Sequence, residues 1–271
     1  VRRLSILTAA VTLALIVPAA PAFAKSYDLP TAVIGVVVEA DGSLSVTEQI
    51  TFSFDGSFSG AFRDIPTRSG ERVRNVAVSE NGAAFTSGAS TVLGSSGDPG
   101  TFGVDDLGSR TRVVWHYRAT NEQRTFTVTY RLSGVAVAYD DVVDVNFRVW
   151  GDEWVTGIDR LTAFMLVPGS PSSGEVLVFG HPGTVDGETS LGSDGISPDL
   201  IARGVPAHQW VEMRVVIPRA ALSSTNGATV RSGTGLAGIL ADEDAESARV
   251  EALDDWVAPS VGLLAGIAAL I

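Results

Sequence analysis

Apolar residues recur at every second position along most of this chain. Ile34, Val36 and Val38 alternate with small or polar neighbours, and after Asp41-Gly42 the period resumes at Leu44, Val46, Ile50, Phe52 and Phe54. Period two places alternate side chains on one face of a strand. An Asp-Gly between two such runs signals a hairpin, because glycine accepts positive φ without a Cβ clash. Another short strand is predicted over residues 74–79. A second hairpin is predicted next: Val113, Trp115 and Tyr117 alternate, Thr120-Asn121-Glu122-Gln123 turns the chain, and Phe126, Val128, Tyr130 and Leu132 return. Strands are also predicted at 143–149, 161–167, 176–179 and 211–217. Residues 81–110, rich in Gly, Ser, Asp and Thr, read mostly as loop. Many short strands separated by turns predict an all-β protein: one or two antiparallel, immunoglobulin-like sandwich units.

The period is lost at both ends. Val1-Arg2-Arg3 precedes an apolar run over residues 4–17, followed by Pro18 and Pro21 and then Ala22-Phe23-Ala24. A basic start, a short apolar stretch and a small-x-small end are the parts of a secretory signal peptide. Residues 1–24 are therefore expected to be removed after Ala24, leaving Lys25 first. Val1 fits a GTG start codon read literally, and so a bacterial source. At the other end, residues 256–271 run from Trp256 through Pro259 into an uncharged apolar stretch. This reads as the start of a transmembrane helix, which needs about 20 residues and would continue past residue 271. An indole at its start suits an interfacial anchor.

Between these ends, residues 25–168 are expected to form an extracytoplasmic sandwich unit. Residues 169–220 would be a second β unit or the completion of the first, with Pro168-Gly169-Ser170-Pro171 as the joint. Residues 221–240, rich in Ser, Thr and Gly, read as a flexible linker. Residues 241–255 read as an acidic juxtamembrane helix, with seven acidic residues against one basic residue, Arg249. The expected location is the plasma membrane, with the β domain outside and the lipid bilayer as one partner.

Charge and composition exclude several functions. Asp and Glu total 31 against 19 Lys and Arg, a net −12 with no basic stripe, so the chain repels phosphate backbones and no nucleic-acid partner is expected. Cysteine is absent, which removes disulfides and thiolate metal sites. His116, His181 and His208 lie far apart, without helical metal-site spacing, and no metal or cofactor is expected. His116, between Trp115 and Tyr117, is expected on the solvent face of its strand. Gly233-Thr234-Gly235-Leu236-Ala237-Gly238 matches a dinucleotide fingerprint but lacks the strand and βαβ unit that would make it one. No Gly-x-Ser-x-Gly elbow is present, and no catalytic residue is assigned. Asp140-Asp141, Asp144 and Asp152-Glu153 are the carboxylates that a glycan-active envelope enzyme would need to pair across a cleft.

Glu48 stands out. It shares parity with Val46, Ile50 and Phe52, so it points to the apolar face, where a carboxylate is costly unless paired. Arg63, in Gly60-Ala61-Phe62-Arg63-Asp64-Ile65-Pro66, follows closely enough to fold back onto it. The pair is expected at the sandwich edge, either as an ion pair fixing register or as part of a ligand pocket. Tyr27-Asp28-Leu29-Pro30, the segment from Asp41-Gly42 to Glu48, Gly60-x-x-Arg63-x-Ile65-Pro66 and Gly151-Asp152-Glu153-Trp154 occur in that order. In these motifs the chain resembles the bacterial predicted membrane proteins of domain-of-unknown-function family 2207. The resemblance covers roughly residues 27–218. It implies a signal peptide, an extracytoplasmic β domain and following membrane helices, often with a Gly-rich tail beyond, and it implies no mechanism. The function expected is a binding or structural module of the cell envelope, with an envelope protein or glycan as partner. The alternative is a carbohydrate-active enzyme working through paired carboxylates.

Overall fold

The computed structural model of the chain describes residues 25–268, with side chains described through Ala252. The expected signal peptide, residues 1–24, lies outside the described residues. The first strands are β1 (Ser26–Val38), β2 (Leu44–Asp55), β3 (Ser57–Pro66), β4 (Arg72–Glu80), β5 (Ala83–Ala84) and β6 (Thr86–Ser87). Next come β7 (Thr101–Asp106), β8 (Arg110–Thr120), β9 (Gln123–Ser133), β10 (Ala136–Ala138) and β11 (Val142–Trp150). The last are β12 (Ile158–Leu166), β13 (Leu177–His181), β14 (Gly187–Leu191), β15 (Pro198–Val205), β16 (Val211–Pro218) and β17 (Thr229–Val230). One helix, α1 (Leu236–Ala268), follows.

The strands form three sheets: eight strands in the order β14-β15-β12-β1-β2-β9-β4-β5, five in the order β13-β16-β11-β10-β17, and four in the order β3-β8-β7-β6. One buried cluster draws members from all three, among them Ile34 and Phe126, Val113 and Trp115, Val145 and Met213. The large sheet thus packs its inner face against the two smaller ones. The alternation along β2 is kept, with Leu44, Val46, Glu48, Ile50, Phe52 and Phe54 all buried and their neighbours facing out. The Asp41-Gly42 turn forms with Gly42 at φ 83°, and Asp41 accepts a bond from the Ser43 N–H at 2.9 Å.

Several expectations change. The fold is all-β but not purely antiparallel, because β1 pairs β12 in parallel at the centre of the large sheet. Alternation records which face is buried and not which strand lies alongside or which way it runs. For the same reason the second expected hairpin does not pair: β8 lies between β3 and β7 in the four-stranded sheet, and the turn at residues 120–123 carries the chain across to β9, between β2 and β4 in the large sheet. Residues 169–220 enter the same sheets as residues 25–168: β14 and β15 extend the large sheet beyond β12, while β13 and β16 pair beside β11. Residues 81–110 contain β7, which carries the buried Phe102.

Residues 221–240 are not a free linker. The Ser223 N–H bonds to the Ala40 carbonyl at 2.9 Å and the Gly227 N–H to that of Asp41 at 2.9 Å, and β17 pairs with β10. Backbone hydrogen bonding docks a segment whose small side chains have little to bury. The expected acidic helix over 241–255 is part of the longer α1, which starts at Leu236. The membrane span expected at 256–271 is not supported: among the described residues no helix is long and apolar enough to cross a membrane. The described side chains of α1 include Asp242, Glu243, Asp244, Glu246, Arg249 and Glu251, and from residue 253 onward side chains lie outside the described residues.

Candidate functional site

Glu48 and Arg63 meet, though inside the sandwich and not at its edge. Parity in β2 turns Glu48 inward from the large sheet, and β3 supplies Arg63 from the four-stranded sheet opposite; they are 0% and 1% exposed. Arg63 Nε donates to Glu48 Oε2 at 2.8 Å and Nη2 to Oε1 at 3.2 Å. Tyr130 of β9 donates its hydroxyl to Glu48 Oε1 at 2.7 Å. Arg63 Nη1 donates to the Asp64 carbonyl at 2.6 Å and also to the Glu153 carboxylate. Burial alone would push the guanidinium down, but the Glu48 carboxylate and its hydrogen bonds outweigh it and hold Arg63 above its ordinary value. Burial first, and then Glu48, push the Tyr130 phenol well up, so Tyr130 stays a donor. A desolvated charge is tolerated when it is paired and hydrogen-bonded, and both conditions are met here.

Glu153 and Trp154 come from the loop between β11 and β12. A Cβ on Gly151 would collide with the Glu153 carboxylate, so the glycine makes room for it to reach Arg63. Trp154 stacks on Trp150, centroids 4.5 Å apart and planes 5° from parallel, and the Arg63 guanidinium lies 5.6 Å from a Trp154 ring centroid. Gly60-x-x-Arg63 and Gly151-Asp152-Glu153-Trp154, distant in sequence, are thus one site.

Beside this site is a cavity of about 110 Å³. Tyr27, Phe52, Phe54, Phe58, Tyr117 and Trp154 supply its aromatic walls, while Gly60, Ala61, Phe62, Arg63 and Asp64 line one side. Burial pushes the Tyr117 phenol up, keeping it neutral. This is smaller than the engineered cavity of about 150 Å³ that accepts benzene, but the exposed Phe62 and Val155 are among its lining, so the space opens to solvent and suits partial insertion of a ring-sized apolar group. The charged groups nearby are already engaged. Asp64, for example, is clasped by Arg112 through Nε and Nη2, both at 2.7 Å. The Trp154 indole N–H is buried and has no partner among the described residues.

The remaining candidates serve elsewhere. His116 is 2% exposed, correcting its expected solvent position: the chain ahead of β7 folds over β8 and sets Gly97 against the ring, where a Cβ would clash. His181 pairs with Glu243 at 3.2 Å, and His208 contacts the Asp152 carbonyl. Among the described residues no group of His, Asp or Glu is placed to hold a metal ion. Asp140 accepts the Gly233 N–H, Asp141 the N–H groups of Gly235 and Leu236, and Asp144 clasps Arg214. Asp152 lies 3.7 Å from Arg148. Counting residues missed Tyr130 and Glu153 as partners. The signals were present in the inward parity that Tyr130 shares with Val128 and Leu132, and in the glycine two places before Glu153.

Residues 28–217 match the family described as "Predicted membrane protein (DUF2207) N-terminal domain". The chain belongs to this family. No curated protein matches the chain. Similar solved structures include an M1 zinc metallopeptidase from Deinococcus radiodurans, at 10% identity and TM-score 0.38, covering 69% of this chain and 42% of that one. Another is a "putative nutrient binding protein" from Legionella pneumophila, at 12% identity and TM-score 0.41, covering 70% of this chain and 66% of that one. This DUF2207 domain spans less than half of the metallopeptidase and just under two thirds of the Legionella protein. Likeness at this level leaves function to be argued from the site.

Proposed function

We propose that this DUF2207 chain is a membrane-attached, extracytoplasmic module of the bacterial envelope that binds a ligand through a ring-sized apolar group. The aromatic cavity beside the ion-paired Arg63 carries this reading. Its walls give apolar contact, and the Glu48–Arg63–Glu153 group holds β2, β3 and the loop before β12 in fixed relation, so the cavity is preformed. Preformed, mostly apolar concavities with a few placed polar groups are the usual form of ligand sites. The export pattern of residues 1–24 and the family description support the envelope location. A glycan-active enzyme is the less supported reading, because Asp141, Asp144 and Glu153 are each taken up by a helix start or an arginine.

Toluene titrated into the full chain tests the cavity. Saturable shifts of the Trp154 indole N–H signal by NMR are expected, and Ala61→Phe, which fills the space, should remove them. Overpacking of this kind costs about 1–3 kcal/mol, so the variant's fold is checked by its other amide signals. Shifts that do not saturate, or that persist in the filled variant, would refute the reading.

A further inference from the structure

Strand β3 lies at one end of the four-stranded sheet. Its one strand partner is β8, and its other edge pairs with no strand among the described residues. A free edge presents unpaired backbone N–H and C=O groups, a template for another strand. Ser59, Gly60 and Phe62 are exposed there.

The cavity lies along that edge. Gly60, Ala61, Phe62, Arg63 and Asp64, five consecutive residues of β3, all line it. Successive side chains of a strand point to opposite faces, so a cavity on one face would meet every second residue. Contact with a consecutive run places the space against the strand's side, where the backbone groups point. The polar side chains around it are occupied: Glu48 and Glu153 by Arg63, and Asp64 by Arg112. Two carbonyls of β3 are occupied as well, that of Gly60 by the Tyr117 hydroxyl at 3.3 Å and that of Asp64 by Arg63 Nη1 at 2.6 Å, so hydrogen-bonding capacity for an incoming ligand is left to the other backbone groups of the exposed stretch, residues 59–62.

From this we propose that the ligand is an extended peptide segment that adds as a strand to the free edge of β3 and seats one aromatic or large aliphatic side chain in the cavity. The proposal rests on the cavity being a binding site. Strand addition draws affinity from main-chain bonds and specificity from a pocket for an alternate side chain, and both elements adjoin here. The register shift between Phe58 and Gly60 bounds the edge at one end, and the burial of Arg63, Asp64 and Ile65 at the other. A short segment therefore fits. Charge narrows it further: the site is internally neutralised and the chain is net −12, which disfavours polyanionic envelope polymers and suits a neutral or basic segment.

The test uses the full chain and fluorescein-labelled, acetylated and amidated pentapeptides of alternating Thr and Val, with Phe, Tyr, Trp, Leu or Ser at the centre. Polarisation should show saturable binding for the large apolar centres and at least ~10-fold weaker binding for Ser. Toluene should compete. Two further versions carry backbone N-methyl groups at odd or at even positions. A paired edge uses the N–H groups of one alternate set, so one version should weaken about tenfold or more and the other little. Equal effects of the two methylations, or no peptide binding while toluene still binds, would overturn strand addition and leave the cavity reading standing. Failure of toluene as well would bring down both. An N-acetylglucosamine tetramer that displaces toluene where no peptide does would assign the edge to glycan and refute the proposal.

Discussion

Arg63 and Arg214 are each held between two carboxylates, and their surroundings differ. Arg63 lies between Glu48 and Glu153 inside the sandwich, 1% exposed, with Tyr130 completing the shell. Arg214 of β16 lies between Asp144, at 2.7 Å, and Glu243 of α1, at 2.8 Å, on the outer side of the five-stranded sheet, 13% exposed. The first cluster joins one sheet to another across the core, and the second joins a helix to a sheet near solvent. Hydrogen bonding to Asp144 leads in holding the Arg214 guanidinium above its ordinary value, against partial burial. Similar chemistry thus serves two purposes. Where water is excluded, loss of a partner strands a charge; where water can enter, it frees one.

The largest effect that would separate the two is expected at Arg63. Arg63→Met and Glu48→Gln should each cost about 3–5 kcal/mol in denaturant unfolding, because the remaining charge stays desolvated. The double variant should lose much less than the sum, and additive losses would show that the two sides do not act as a unit.

Arg214→Met should cost less, about 1–3 kcal/mol, since Arg214 is 13% exposed and its removal opens a path for water to the buried Asp144 and Glu243. Its loss should be local. Amide exchange is expected to accelerate around Ile239 and Glu243, while β2 and β9 keep their protection. If the whole sandwich loosens equally, the two clusters are not distinct and the contrast drawn here fails.

The smallest effect concerns pH at the start of α1. Asp141 accepts the Gly235 N–H at 2.7 Å and the Leu236 N–H at 3.2 Å. The Gly235 bond foremost, opposed by slight desolvation, holds the Asp141 carboxyl below the usual range. A lowered folded-state value means a contribution fully present above the unfolded carboxyl value, near ~3.9, and lost as pH falls through the folded one. The protection factor at Leu236, the exchange rate of the unstructured chain at the same pH divided by its own, should therefore fall below about pH 4, and Asp141→Asn should reduce that dependence. Unchanged acid sensitivity in the variant would move the cause to another carboxylate.

What was legible along the chain follows from the nature of each signal. The inward direction of Glu48 could be read because period two within one strand is a local property. Its nearness to Arg63 could be read because few residues separate β2 from β3. Tyr130 and Glu153 lie 82 and 90 residues from the partners they meet, and parity cannot choose among distant inward positions. His116 was misplaced because alternation assumes one solvated face, whereas the large sheet covers one face of β8 and the chain ahead of β7 covers the other.

By itself, the sequence determined the β character, the hairpin of β1 and β2, the inward carboxylate and the acidic balance, all set by neighbours in the chain. The tertiary structure decided the parallel pairing of β1 with β12, the docking of residues 221–240, the convergence of two distant motifs on Arg63 and the cavity along the β3 edge. These depend on which strands lie side by side. That choice is made by burying one shared core across three sheets, and local periodicity carries no record of it.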